Sequence, residues 1–336
     1  MPVQVFSDAK GFEELRDGWN GLVSRSVTNT VFLTHEWQTV WWDHLGEGDL
    51  FVIAVQSDDG TLMGIAPLFR GLDSVGRRIM EFVGCFDVSD YLDIIADREY
   101  VEEVCRAVMD TLAGGEIDWD VLSLCNIPEA SPTRTLLAEL AEEQGYDVTL
   151  EVEDVCPIVT LPASWEEYLA TLNGKDRREV RRKIRKAGRT ARVDWQLLRT
   201  PAEVDEHLDI FFDLHQKSHP DKADFMDAGM KSFFRAMSST LAEREWLELA
   251  LLEFDGVPVA ATLSFDYNDE ILLYNSGYEA QGYYASLSPG WILTAFHVES
   301  AIERGKRRFD FLRGDEDYKY RFGGRDTLVY RLTVEK

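Results

Sequence analysis

The chain repeats itself. "FVIAVQSDDGTLMGIAPLFR" (51–70) and "LELALLEFDGVPVAATLSFD" (247–266) align without a gap. Ala54 falls on Ala250, Asp59-Gly60 on Asp255-Gly256, and Phe69 on Phe265. Each segment reads as strand, Asp-Gly turn, strand, because Asp-Gly between apolar runs favours a tight hairpin. The flanks repeat as well. Two helical patterns precede each hairpin, at about 11–24 and 34–45 and again at 201–218 and 226–243. Further strand, a helix (about 100–113; 289–304) and another strand (119–125; 308–312) follow. Chance likeness between two hairpins would not bring that element order with it. A duplication predicts an α/β (α+β) chain of two tandem domains, 1–160 and 161–336, each a mixed, mostly antiparallel sheet flanked by helices.

Composition agrees and narrows the partners. With 336 residues, 45% of them hydrophobic, and nine tryptophans, the chain has material for two cores. A net charge of −26 argues against general binding to DNA or to an anionic membrane, so an anionic ligand needs a locally basic or dipole-lined site. No apolar run approaches the ~18–20 residues of a membrane span, and the start, "MPVQVFSDAK", has no signal-peptide pattern. Cys85, Cys105, Cys125 and Cys156 form no C-x-x-C pair, so four reduced thiols in a cytoplasmic protein are expected, without a structural metal. Oligomeric state is not legible.

Charge concentrates against the global sign between the copies. Ser164 and Glu167 have capping-box spacing ahead of an apolar stripe of Trp165, Tyr168, Leu169 and Leu172, which Asn173-Gly174 breaks. Asp176 and Glu179 then offer a second cap, with Gly188 as a stop. From Lys175 to Arg192 there are ten Lys/Arg and two acids. On a helix, Val180, Ile184 and Ala187 make a narrow buried stripe, leaving arginines such as Arg181 and Arg185 outside as ligands for phosphates of a coenzyme, a nucleotide-linked sugar or tRNA. A solvated helix face is the plain alternative.

Four further stretches carry candidate chemistry. In "LSPGWIL" (287–293) Ser288 is a good N-cap, Pro289 suits a first turn, and Gly290 allows close approach to the backbone. The open N–H groups of such a helix start make an anion site. "GDEDYKYRFG" (314–323) interleaves tyrosines with both charges. If the segment is extended, Asp315, Asp317 and Lys319 share one face, and Glu316, Tyr318 and Tyr320 the other. Its plain alternative is a self-neutralised turn. "HQKSH" places His215 and His219 four apart on one helix face, but Gln216 stands where a zinc protease needs Glu, so no metal is expected; His219 is a candidate for an acceptor pocket, with structural histidines as the plain alternative. "DVSDYLDI" (87–94) gathers Asp90, Tyr91 and Asp93, either an acceptor-binding loop or a strand-edge turn.

The order strand, two helices, hairpin, strand, helix, strand resembles the GCN5-related N-acetyltransferase (GNAT) fold. The C-terminal half resembles the BioF2-like/CelD-like acetyltransferases, found beside polysaccharide-synthesis functions and related to the FemAB peptidyltransferases. "LSPGWIL", "RFDFLRGDEDYKYRFG" (308–323) and the arginine-rich segment carry that resemblance over about 160–336; over 1–160 it is looser, with "VSDYLDII" (88–95) its main point. The resemblance implies an acyl-coenzyme A-dependent N- or O-acyltransferase, acetyl-coenzyme A being the simplest donor, acting on a small-molecule or sugar acceptor. It implies a coenzyme diphosphate at Ser288, Pro289 and Gly290, although the usual Q/R-x-x-G-x-G/A signature is missing. It further implies a thioester carbonyl near the backbone of Asn275, Ser276 and Gly277 in "YNSG", and catalytic roles for Asp315, Tyr318 and Lys319, with Tyr318 protonating sulfur. No cysteine sits in a nucleophile motif, so direct transfer is expected. The first copy has no counterpart of "SPG" or "GDEDYKY" and is expected to be a degenerate, supporting domain. Alternatives are a FemAB-like transferase drawing on aminoacyl-tRNA, and a non-catalytic two-domain binder of an anionic ligand.

Overall fold

A computed structural model of the chain describes residues 1–85 and 88–336. The chain divides into two compact units, Met1–Val155 with Thr327–Lys336, and Cys156–Asp326. The fold class expected from the duplication is borne out: each unit is a mixed, mostly antiparallel sheet flanked by helices.

Unit 1 runs β1 (Val3–Phe6), α1 (Lys10–Arg25), α2 (His35–Leu45), β2 (Asp49–Gln56), β3 (Leu62–Leu72), β4 (Arg78–Phe82), β5 (Ile95–Ala96), α3 (Val101–Ala113), β6 (Val121–Pro128) and α4 (Thr133–Glu143). β2, β3 and β4 form an antiparallel meander, and β6 lies parallel to β4. Trp19, Trp37, Trp41 and Trp119 are buried in this unit, against apolar faces of its helices and strands.

The chain leaves unit 1 within β7 (Asp147–Thr160). Unit 2 continues with α5 (Trp165–Thr171), α6 (Gly174–Thr190), β8 (Val193–Leu198), α7 (Pro201–Ser218), α8 (Pro220–Phe225), α9 (Ala228–Glu243), β9 (Leu247–Phe254), β10 (Val257–Tyr267), β11 (Glu270–Tyr278), α10 (Pro289–Glu303), β12 (Arg308–Asp310) and α11 (Asp317–Arg321). The plan of unit 1 recurs: β9, β10 and β11 form the meander, and β12 lies parallel to β11.

The last strand, β13 (Arg325–Glu335), returns to unit 1 and pairs antiparallel with β6, from Val329 opposite Pro128 to Glu335 opposite Val121. The division therefore differs from the expected 1–160 and 161–336, because β6 takes its second neighbour, after β4, from the far end of the chain.

Three local expectations are corrected. The Asp255-Gly256 hairpin is tight, with Phe254 opposite Val257 and left-handed φ at both turn residues, but at Asp59-Gly60 the loop spans 57–61 and the left-handed residue is Gly60. Asn173 caps α6 instead of Asp176, taking the N–H groups of Lys175 and Asp176 at 3.1 and 3.0 Å, and α6 runs through Gly188 to Thr190. The four thiols are not all free: Cys85, just past β4, and Cys125, on neighbouring β6, are joined across a Cα separation of 6.1 Å, while Cys105 and Cys156 are free and buried. No helix among the described residues is long and apolar enough to cross a membrane.

Candidate active site

The site in unit 2 begins with a split in its sheet. β12 pairs with β11 only through Glu270–Leu272 opposite Arg308–Asp310, while β11 continues to Tyr278 with β10 on its other side. A bulge helps turn it: Leu263 faces Asn275 and Ser264 faces Leu273, leaving Tyr274 extra. On the open side the Ser276 carbonyl accepts from Lys222 Nζ at 2.6 Å. A strand residue's N–H and C=O point the same way, so the Ser276 N–H also opens into the split. Gly277 has a different duty: a Cβ there would stand 2.2 Å from the His215 backbone nitrogen, so its bareness lets α7 pack on β11.

The far end of β11 leads to the start of α10. Ser288 is the N-cap but does not cap through its side chain. It is left-handed (φ 59°, ψ 60°), uncommon for a residue with a Cβ, and its Oγ accepts from Lys183 Nζ of α6 at 2.9 Å. Pro289 has no N–H, so the first open amides are those of Gly290 and Trp291, beside the Lys183 ammonium. Gly290 is not open to a ligand from every side; a Cβ there would touch the Tyr278 ring at 3.1 Å.

Lys183 lies 4.6 Å from the centre of the Trp291 ring, and the Arg321 guanidinium lies 4.5 Å from the same ring. Burial lowers the Lys183 pKa, opposed by nearby Glu179. Arg321 is anchored by Asp176 at 3.0 Å, not by the acids beside it in sequence.

The charged turn after β12 is helical, not extended, which corrects the expected alternation of faces. Lys319 is 2% exposed and donates to the carbonyls of Leu312 (3.1 Å), Arg313 (2.5 Å) and Gly314 (3.1 Å), with the Glu316 carboxylate at 2.8 Å. Leu312, with φ at 57°, is held in its left-handed conformation by that bond and by Asp310, which accepts its N–H at 2.7 Å. Lys319 thus braces the turn from inside. Asp315 is exposed on it, and Tyr318 is half-buried. Burial, then the nearby charge of Glu316, pushes the Tyr318 hydroxyl well above the ordinary phenol range.

These segments line one cleft of about 340 Å³: Lys183 from α6, Thr262 from β10, Ser276 to Tyr278 from β11, Ser288 to Trp291 and Thr294 from α10, and Tyr318 from α11. Of the sequence candidates, Ser276, Gly277, Ser288, Pro289, Gly290 and Tyr318 meet there. Asn275 points instead to His215, its Oδ1 being 3.1 Å from Nε2. Arg181 pairs with Glu166, Arg185 is exposed on α6, and His219 lies past the end of α7, where it caps α8 by accepting the Asp221 N–H at 3.3 Å. In unit 1, Asp90 is half-buried, Tyr91 is buried, and Asp93 is buried with Thr28 donating to it at 2.5 Å; Asp87 of the same motif lies outside the described residues. A wider, shallower hollow in unit 1, about 1140 Å³ and lined by Trp41, Phe69 and Glu81 among others, includes none of the sequence candidates. Among the described residues no cluster of His, Cys, Asp or Glu could hold a metal ion.

Sequence reasoning missed Lys183, Thr262 and Trp291. For Lys183 a signal existed: it lies three residues after Val180 and four before Ala187, so it shares their buried stripe. Arg181 and Arg185 do not.

Residues 174–320 match the family described as Acetyltransferase (GNAT) domain. No curated protein matches the chain. Among solved structures the chain is similar to FemX (12% identity, 98% of this chain and 96% of that one, TM-score 0.67). It is also similar to the C-terminal domain of a putative lysylphosphatidylglycerol synthetase from Agrobacterium fabrum (13%, 98% and 92%, 0.55). A tandem GNAT protein from the clavulanic acid biosynthesis pathway is a third (12%, 98% and 98%, 0.51). At these identities the likeness shows a shared fold. Within unit 2, residues 174–320 match the GNAT domain family, and the similar solved structures share the fold of the chain.

Proposed function

We propose that this chain is a GNAT-type acyltransferase that binds an acyl-coenzyme A, acetyl-coenzyme A in the simplest case, in the unit 2 cleft. The acyl group passes directly to an amine or hydroxyl of a small molecule or glycan precursor. One observation carries the reading: the open amides of α10 with Lys183, the Ser276 edge of the split and Tyr318 all line the same cleft. The donor set fits the ligand. Two backbone N–H groups at a helix start and one ammonium suit a diphosphate.

In this reading the acceptor nitrogen bonds to the thioester carbon, and the Ser276 N–H stabilises the charge that develops on oxygen. The carbon–sulfur bond breaks, and Tyr318, kept protonated by burial, gives its proton to the departing sulfur. The acceptor's proton leaves to a carboxylate of the Asp315–Glu316 pair; nearby, burial lowers the Lys222 pKa to about 8, the Glu316 charge opposing it. Lys319 serves by holding the turn.

Calorimetric titration with acetyl-coenzyme A checks this. The wild type is expected to bind one equivalent in the micromolar range, and Lys183→Met to bind about tenfold or more weakly, the loss of one charge-assisted hydrogen bond. Equal affinities, or no binding by the wild type at millimolar ligand, would overturn the reading.

A second reading has one observation in its favour. Lys175, Arg178, Arg185 and Arg189 of α6 are exposed, a cationic surface that an aminoacyl-tRNA donor would use. Electrophoretic shift of charged tRNA at two salt concentrations separates the two, since only RNA binding should collapse steeply with salt.

A further inference from the structure

Behind the cleft, unit 2 holds a row of buried polar groups that the acyl-transfer reading leaves unused. Thr262 of β10 lines the cleft wall, and its Oγ1 lies 3.4 Å from His297 Nδ1 on α10. The other ring nitrogen, Nε2, is 3.1 Å from the Glu248 carboxylate on β9. His297 and Glu248 are fully buried, and Thr262 nearly so. Beyond them Arg304 donates to both Glu248 oxygens and, with Lys306, to Asp266.

The direction of each hydrogen bond follows from chemistry. Burial raises the Glu248 pKa, but hydrogen bonds from His297 and Arg304 outweigh it and hold the group below the usual carboxylate range. An ionised carboxylate only accepts, so His297 Nε2 carries the ring's proton. In the neutral ring Nδ1 then has a lone pair, and the single hydroxyl hydrogen of Thr262 goes to it. The Thr262 oxygen has no hydrogen left to offer the cleft.

We propose that Thr262 is an acceptor-only group that selects a ligand N–H, with His297 and Glu248 as the positioning residues that fix its polarity. On the acyl-coenzyme A reading, on which this identification rests, the donor is an amide N–H of the pantetheine arm. A ligand offering a carbonyl at that point would meet lone pairs and be disfavoured.

The relay is tested in the free protein. Side-chain nitrogen NMR near pH 8, with His297 assigned through His297→Gln, should show Nε2 protonated and Nδ1 bare; an Nδ1–H tautomer overturns the proposal. The ligand contact is tested by titrating coenzyme A and adenosine 3′,5′-bisphosphate, which lacks the arm. Thr262→Val should weaken coenzyme A by about five- to tenfold, the net worth of one hydrogen bond, and leave the bisphosphate unchanged. Thr262→Ser should restore the affinity. Equal loss for both ligands, or no loss for either, overturns the contact. If the wild type binds neither, the arm assignment falls with the acyl-coenzyme A reading, while the tautomer still decides the relay.

Discussion

At the scale of single residues, sequence showed which kinds of group to look for, but not which of them turn inward. Tyr318 and Ser288 were legible because a tyrosine among charges and a Ser-Pro-Gly helix start are local patterns. Lys319 was legible as a charged group of the turn but not as its internal brace, because its partners are carbonyls, which sequence does not display. His215 is the inverse case, a histidine noted only for its spacing from His219 whose setting is informative. Burial, then the Lys222 charge, lowers its pKa to about 4. The sign follows from linkage: below about 6.5 the unfolded chain takes up a proton that folded His215 refuses. Stability should therefore fall with pH from about 6.5 to about 4, by on the order of 3 kcal/mol from this group, and level off below. Melting temperatures of wild type and His215→Asn across that range check it. The variant's curve should be flatter, and parallel curves would contradict the assignment.

Elements were easier to read than their ends. The periodicities at 11–24, 34–45 and 201–218 correspond to α1, α2 and α7 because each has an apolar stripe long enough to outvote local noise. α11 was not legible: five residues hold too few apolar positions to show a period, and its shape is imposed by Lys319 beneath it. That gives a prediction for the element. Lys319→Met leaves three carbonyls without their shared donor and should destabilise unit 2 by about 3 kcal/mol in urea unfolding. It should also expose 312–322 to proteolysis. An unchanged midpoint would mean that the turn is held by Tyr168, whose hydroxyl donates to the Phe322 carbonyl at 2.7 Å, and by packing alone.

For the whole molecule, the repeat announced two units of one plan, and that reading holds. The return of β13 to unit 1 was not legible, because a strand pattern says nothing of which edge it will join. Arg331 of that strand donates to Ser123 at 2.8 Å and pairs with Glu153, so the last residues are part of the unit 1 core architecture. Truncation after Asp326 should strip hydrogen-exchange protection from β2, β3 and β6 while β9–β11 keep theirs. Retained protection in β6 would show the strand to be dispensable. The charge pattern also belongs to this scale: a chain of −26 that gathers ten cations into residues 175–192, nine of them on α6, has built a local exception, and Lys183 is where that exception reaches the cleft.

The most direct test of the account is a crystal structure with acetyl-coenzyme A. The account predicts the diphosphate on the Gly290 and Trp291 amides beside Lys183, with the thioester in the split within hydrogen-bond reach of the Ser276 N–H and its sulfur facing Tyr318. A ligand bound elsewhere, or a diphosphate that leaves the start of α10 untouched, would contradict it.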